Sequence, residues 1–467
     1  MATTVQAELK VQDILKPGNH AYFIGIGGVG MSGLAKVLKQ MGLQVSGSDA
    51  AQNAETKVLS QLGIQVDIGH DCTHIDQQDV VIYSSAVSVK NPERREAIMR
   101  SIPLFHRAEV LSALMNQAIS IAITGTHGKT TTSAMIGFLM SRANVRPTCL
   151  VGGHALNFDS NVLLGDPHLV VAEVDESDKS HLYYRPDFAV VTNIEEDHLE
   201  VYQNIDNLKL AFQEFVANLK TTGHLIYSGH DNYLKEIALQ AGHRVSYGLS
   251  KTFDFGAEDI VLDGFKSQFH LYEKGKKVAK ASLLVPGRHN VLNATGAIAA
   301  LRSFGLPLEP ILKALPEFNG VKRRLEMKLN LPHVSVIDDY AHHPTEVEAT
   351  IQAIRLLGRK VTVVFQPHRF SRMRYIGHLF STAFYGADRV ILTDIYSAGE
   401  ENIYDADVNN LYDVLKEKHP NVSFVPRSDL VDHLFHQLKP EGVIAFLGAG
   451  DITEAASEFA RRFTNSK

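Results

Sequence analysis

Cysteine is nearly absent. Only Cys72 and Cys149 occur, too few for a disulfide framework and without the clustered spacing of a zinc site, so both are expected to be buried thiols. No apolar run approaches the ~18 residues that a membrane span needs. The opening segment, MATTVQAELKVQDILK, has neither a basic n-region nor an apolar h-region, and the expectation is a cytoplasmic protein without membrane contact. A basic surplus is missing too: the formal net charge is −6, which argues against a general nucleic-acid binder. Small anionic ligands stay open, because backbone amides at helix starts hold anions whatever the net charge. Tandem repeats and low-complexity tracts are also lacking, which excludes a solenoid and a long disordered linker.

What is present is the composition of an ordinary soluble globular chain, in 467 residues. At roughly 100 to 200 residues per domain that length implies three domains. Short apolar runs alternate with amphipathic segments almost throughout, so the class is α/β, with parallel sheets covered by helices. HAYFIGIGGVGMSGLAKVLKQMGLQVSGSD (20–49) reads as strand, glycine turn, helix and strand, with Leu34, Val37, Leu38 and Met41 at helical spacing. ISIAITGTHGKTTTSAMIGFLM (119–140) repeats that beginning and sets a domain start near residue 119. The stretch 250–280 reads as hairpin strands forming a small antiparallel edge. After PEFNGVKRRLEMK (316–328) the rhythm restarts, with VSVIDDY, KVTVVFQ, RVILTDIY and GVIAFLGAG as strands. The expected domains are therefore 1–118, 119–320 and 321–467.

Several motifs carry chemistry. Gly25, Gly27 and Gly30 fit G-x-G-x-x-G, and Asp49 follows at the end of the next strand. A dinucleotide, a nucleotide-sugar diphosphate and a tight turn that merely packs well all satisfy this pattern. GTHGKTT (125–131) is a strand-to-helix loop, although only two residues separate Gly125 from Gly128. Its amides can cradle phosphates, Lys129 can neutralise a transferring phosphoryl group, and the Thr130 hydroxyl can reach Mg²⁺. In LVVAEVDESD (169–178), Glu173 stands near the end of an apolar strand as a hard oxygen ligand for Mg²⁺, while its acidic neighbours read as solvated. His198, in NIEEDHLEVY, reads from chemistry alone as a core or surface histidine, imidazole being a soft ligand for Mg²⁺. DDYAHHPTEVEA (338–349) and PHRFSR (367–372) put histidines and arginines at strand ends, where open sheets bind ligands, though each residue singly fits a helix cap or surface charge equally well. The adjacent histidines point different ways and make a poor metal pair.

Taken in order, GIGGVGMSGLA, SGSD, YSSAV, RAEVL, GTHGKTTTSAM, DESD, NIEEDHLE, GRHNVLNA, GVKRRLE, DDYAHHPTE, FQPHR and AGE resemble the Mur ligase family over nearly the whole chain. The resemblance implies an N-terminal Rossmann-like domain for a UDP-sugar, a central P-loop-type ATPase domain, and a C-terminal Rossmann-like domain for ATP and an amino acid. The implied reaction ligates L-alanine to the lactyl carboxylate of UDP-N-acetylmuramate through an acyl phosphate, with ATP and Mg²⁺. It turns the first glycine motif toward UDP, with Gly28, Gly30, Asp49, His70, Ser84 and Arg107 as candidates. ATP is assigned to Gly125, Thr126, His127, Gly128, Lys129, Thr130 and Thr131, together with His289, Asn290, Asn293, Arg324 and Asp339. Mg²⁺ falls to Thr130, Glu173 and His198, and the amino acid to His343, Arg369 and Arg372. Lys129, His198, Arg324 and His343 are the implied catalytic set. Within the family, the alternative joins the same sugar to a preformed murein tripeptide. A nicotinamide-dependent dehydrogenase fits the first glycine motif but leaves GTHGKTT unexplained. Two departures stand out. Lys209 lies four residues before the position at which some relatives carry a carbamylated lysine, and Phe370 and Met373 replace a usual tyrosine and threonine.

Overall fold

The computed structural model describes residues 11–436 and 441–465. Three sheets follow one another along the chain, as the three-domain α/β reading expects. The first holds five parallel strands in the spatial order Gln65–Ile68, Gln44–Asp49, His20–Ile24, Val80–Tyr83, Leu104–His106. The chain starts in the middle, winds outward on one side, then crosses to the other. That reversal opens a crevice at the carboxyl ends of His20–Ile24 and Val80–Tyr83. Leu34, Val37 and Leu38 bury the inner stripe of helix Val29–Gln40, while Met41 caps its end half-buried.

The second sheet has ten strands. Ile119–Thr124 pairs in parallel with Phe188–Val191 on one side and Asp166–Glu173 on the other. Ile121, Ala122 and Ile123 are fully buried because helices cover both faces. Lys129–Arg142 and Arg288–Ser303 pack with Ile121 and Ile123, and Ile205–Ala217 packs in the cluster that holds Ala122. One edge is an antiparallel run of Phe255–Asp263, Lys266–Glu273 and Lys276–Leu283, the hairpins expected there. The first and second sheets are tied by Lys36, whose ammonium donates to Asn161 Oδ1 at 2.8 Å and to Glu55 Oε2 at 2.9 Å.

The third sheet is ordered Glu326–Asn330, Val334–Asp339, Gly442–Leu447, Val361–Phe365, Arg389–Leu392, Val422–Phe424. Its four inner strands are the four expected ones. The flanking strands are not visible in the sequence, since both are short, part-exposed edges without clean alternation. Glu326–Asn330 runs antiparallel to its neighbour.

Cys149 is buried, and burial pushes its thiol up. Cys72 is exposed, against expectation, because its segment is a polar surface turn, Cys72–His74, with no apolar face to bury. Among the described residues no helix is long and apolar enough to cross a membrane.

Candidate active site

Every candidate for the sugar lies at or just past the carboxyl end of a strand of the first sheet. Gly28 and Gly30 follow His20–Ile24, Asp49 closes Gln44–Asp49, and His70 follows Gln65–Ile68. Ser84 follows Val80–Tyr83, and Arg107 follows Leu104–His106. Sequence-distant residues thus meet at the crevice because parallel strands carry all their carboxyl ends to one edge. Helix Val29–Gln40 begins at Gly28 without a side-chain cap, leaving its first amides open to an anion. Asp49 Oδ2 accepts the Gly27 amide at 2.8 Å, which shapes the loop. His70 Nδ1 lies 2.9 Å from the buried Glu93 carboxylate. Arg107 lies across Gly30, where a Cβ would come within 3.1 Å of Nη1, and its Nη2 reaches Asp175, just past strand Asp166–Glu173 of the second sheet, at 3.2 Å.

The loop 125–131 turns sharply between Ile119–Thr124 and Lys129–Arg142, with Gly125 at φ +125° and Gly128 at φ +82°. A Cβ on Gly128 would stand 2.6 Å from Asn293 Oδ1. Here too no side chain caps the helix. Lys129 folds back over its own loop, donating to the carbonyls of Gly125 at 2.5 Å and Thr126 at 3.1 Å and to Glu176 Oε1 at 2.7 Å. Burial works against its charge, but Glu176, Glu173 and Asp175 outweigh it and raise the ammonium's pKa.

A cleft of about 390 Å³ opens beside the loop. Nine of the nucleotide candidates line it: His127, Gly128, Thr130, Thr131, His289, Asn290, Asn293, Arg324 and Asp339. Gly125, Thr126 and Lys129 belong to the same loop and are bonded to one another, so the structure brings the whole group together. Burial pushes the Asp339 carboxyl up to about 6 although Arg324 opposes it. Burial, with Arg324 adding, pushes His289 down to about 4. Open amides, a lysine and a shaped cleft fit a nucleoside triphosphate.

The acids beside the loop divide differently from the sequence reading. Glu173 closes strand Asp166–Glu173, half-buried, and its Oε2 accepts the Gly152 amide at 3.1 Å. Glu176, taken with its neighbours as solvated, is 1% exposed. One of its oxygens holds Lys129, and the other is buried without a hydrogen-bond partner. Tyr202, from a distant segment, donates its hydroxyl to the Glu176 carbonyl at 2.5 Å, a contact that no local pattern announces. His198 is neither a surface nor an apolar-core histidine. Its Nε2 stands 3.9 Å from Glu176 and 3.6 Å from Asp197, and its buried Nδ1 lacks a hydrogen-bond partner. The hard oxygens of Glu173 and Thr130, and the buried Glu176 oxygen without a hydrogen-bond partner, fit Mg²⁺.

The third domain closes on this region through its own strand-end residues. His343 caps helix Pro344–Arg355, and its Nε2–H donates to the Glu196 carbonyl at 3.1 Å. His342 turns away toward the Tyr340 carbonyl, at 2.9 Å from Nδ1, so the two adjacent rings do diverge. His127 donates from Nδ1 to Glu346 Oε1 at 3.1 Å, and its Nε2 lies 3.4 Å from Glu195. Burial alone would lower its pKa, but Glu346 and Glu195 carry it up to about 9. Arg372 is buried against Asp197, whereas Arg369 is part-exposed between Glu200 and Glu400 at 3.7 and 3.9 Å. Arg372 therefore has its charge already engaged. Lys209 stands over the Tyr233 ring and 3.9 Å from Asp206. Met373 packs on the third-domain core, and Phe370 is half-buried.

Comparison with known proteins follows the same division. The Mur ligase family catalytic domain matches residues 20–118, the Mur ligase middle domain 123–301, and the Mur ligase glutamate ligase domain 323–450. UDP-N-acetylmuramate–L-alanine ligase of Geotalea daltonii is 40% identical over 445 residues, covering 94% of this chain and 97% of that protein. The enzyme of the same name from Myxococcus xanthus is 40% identical over 441 residues, covering 94% and 93%. Among solved structures, UDP-N-acetylmuramate-alanine ligase from Thermotoga maritima superposes with a TM-score of 0.81 at 31% identity, covering 96% of this chain and all (100%) of that one. A murein peptide ligase from Psychrobacter arcticus, at 24% identity and a TM-score of 0.73, shares the fold over 96% of this chain and 99% of its own. With full-length relatives at this identity, and with each sheet falling under its own part of the match, the chain belongs to the Mur ligase family.

Proposed function

We propose that this chain ligates L-alanine to the lactyl carboxylate of UDP-N-acetylmuramate, using ATP and Mg²⁺, in cytoplasmic synthesis of a peptidoglycan precursor. The observation that carries this reading is one continuous polar path. Arg107, at the sugar crevice, pairs with Asp175; the next residue, Glu176, holds Lys129 of the phosphate loop; and the cleft beyond the loop is closed by Arg324 and Asp339 of the third domain. Residues 1–118 would bind the sugar, 119–320 ATP, and 321–467 ATP and the amino acid.

Amide formation from a carboxylate in water needs activation, because a carboxylate is a poor electrophile. ATP, when bound, supplies the phosphoryl group that converts the lactyl carboxylate to an acyl phosphate, and Thr130, Glu173 and His198 would hold Mg²⁺, which would offset the phosphate charge. The protein's part is positioning and charge. Lys129 swings from Glu176 and its loop carbonyls to the transferring oxygens, where a preorganised cation is worth most. The open amides at the start of Lys129–Arg142 hold phosphate oxygens, and Arg324 adds positive charge from across the cleft. His343 and Arg369 orient the incoming amino acid at the Asp197–Glu200 side, while Arg372 on Asp197 anchors the domain that carries them. Asp49, His70, Ser84 and Arg107 fix the sugar so that its carboxylate faces the loop.

The test is phosphate release with UDP-N-acetylmuramate, ATP and single amino acids or murein tripeptide. Release that requires both the sugar and alanine supports the reading. Release with tripeptide and none with alanine would replace it by the peptide ligase, and NADH binding without ATP binding would replace it by the dehydrogenase.

A further inference from the structure

Three donor groups outside the Mg²⁺ candidates converge where the second and third domains meet. Among the described residues, ligand atoms of His127, Glu195 and His343 all lie within 4.8 Å of one another. The two rings stand 4.6 Å apart, and the Glu195 Oε2 is 3.4 Å from His127 Nε2 and 4.0 Å from His343 Nδ1.

The hydrogen bonds behind the rings decide which nitrogens face inward. His127 turns Nδ1 to the Glu346 carboxylate, leaving a buried Nε2 with no hydrogen-bond partner, directed at Glu195. His343 donates from Nε2 to the Glu196 carbonyl, so its Nδ1 carries the lone pair, which accepts the Thr345 amide of its own helix at 3.4 Å. Glu195 is steadied in turn by the Thr345 hydroxyl, which donates to Oε2 at 2.6 Å. Each histidine thus gives its outer N–H to a carboxylate or a carbonyl and turns the other nitrogen toward a shared point, where a bound metal would replace the His127 proton facing Glu195 and the Thr345 amide on His343. That arrangement orients metal-binding histidines generally.

We propose that His127, Glu195 and His343 form a binding site for a borderline divalent transition metal, Zn²⁺ foremost. Two imidazoles and one carboxylate suit Zn²⁺, Co²⁺ or Ni²⁺, whereas Mg²⁺ and Ca²⁺ prefer sets of oxygens. Three protein ligands leave one tetrahedral position facing the cleft, and the half-exposed Glu195 gives a path of entry. His127 lies in the phosphate loop of the second domain and His343 at a helix start of the third, so a bound ion would pin the two domains together.

The test uses the full-length chain, stripped with a chelator and free of nucleotide. Zn²⁺ is titrated in competition with a chromogenic zinc indicator, and the zinc-edge X-ray absorption spectrum of the complex is recorded. The expected result is one tightly held equivalent with nitrogen and oxygen neighbours, no sulfur, and no displacement by millimolar Mg²⁺. His127→Gln and Glu195→Gln should each weaken it by about tenfold or more. Failure to retain any equivalent, a sulfur neighbour, or unchanged affinity in both ligand variants would overturn the proposal. Wild-type crystals soaked in a zinc salt give a check that needs no variant: an anomalous peak between the three side chains supports the site, and its absence there refutes it. Every readout is metal binding, so a negative result leaves the ligase reading standing.

Discussion

Arg372 and Asp197 form a buried ion pair across the boundary between the second and third domains. Nε and Nη2 of the guanidinium both lie 3.2 Å from Asp197 Oδ1, and the side chains are 6% and 7% exposed. Removing one partner of such a pair leaves a buried charge uncompensated, at a cost of about 3 to 5 kcal/mol. Arg372→Ala should therefore loosen the third domain and lower turnover, while UDP-sugar affinity, governed by the first domain, stays near normal. Limited proteolysis and sugar binding, measured side by side, check both halves.

The same pair predicts a pH dependence. Burial opposes ionisation of Asp197, but Arg372 and the nearby histidines hold its carboxyl well below the usual carboxylate range. A group depressed in the folded state contributes stability above its unfolded pKa, about 4, and loses it as pH falls through the folded value. Domain docking should thus be insensitive to Asp197 from neutrality down to about pH 4 and weaken only in stronger acid. Acid titration of wild type against Asp197→Asn, followed by proteolytic susceptibility, reads this directly; a weakening centred near neutrality would assign the sensitivity to another group.

Lys129→Ala should lower ligation by about 100-fold or more, the scale for losing a preorganised charge-stabilising donor. UDP-sugar affinity should hardly move, because the loop and the crevice belong to different domains. Near-normal turnover would remove Lys129 from the phosphate role.

Gly128→Ala tests the shape of the loop. The residue sits at φ +82°, and the added Cβ would meet Asn293 Oδ1 at 2.6 Å. A left-handed backbone alone costs an L-residue about 1 to 2 kcal/mol. ATP should bind at least about tenfold more weakly, measured by calorimetry, with the sugar unaffected.

Amino-acid choice follows from the size of a methyl group. Alanine exceeds glycine by one methyl, worth about 1 to 3 kcal/mol in an apolar pocket, and such a pocket rejects a serine hydroxyl weakly. The expected order of kcat/KM is alanine first, then serine and glycine, with large side chains excluded. A bulky or charged preference would move the chain to another member of the family.

Much of this protein is written locally. The strand, glycine turn and helix at 20–49 and again at 119–140 need only the spacing of apolar residues and two glycine-rich loops, and the hairpin edge after residue 250 needs only its polar, aromatic-containing segments. The sequence alone also determined the gathering of sugar candidates at one crevice, because a parallel sheet carries every strand's carboxyl end to the same edge. Tertiary structure decided the rest: that Glu176 is buried on Lys129 while Cys72 lies open, that two short edge strands complete the third sheet, and that Arg372 is engaged by Asp197. Periodicity reports contacts within a few residues. The burial of a charge and the identity of its partner depend on segments far apart in the chain, and those meet only once the three domains have packed.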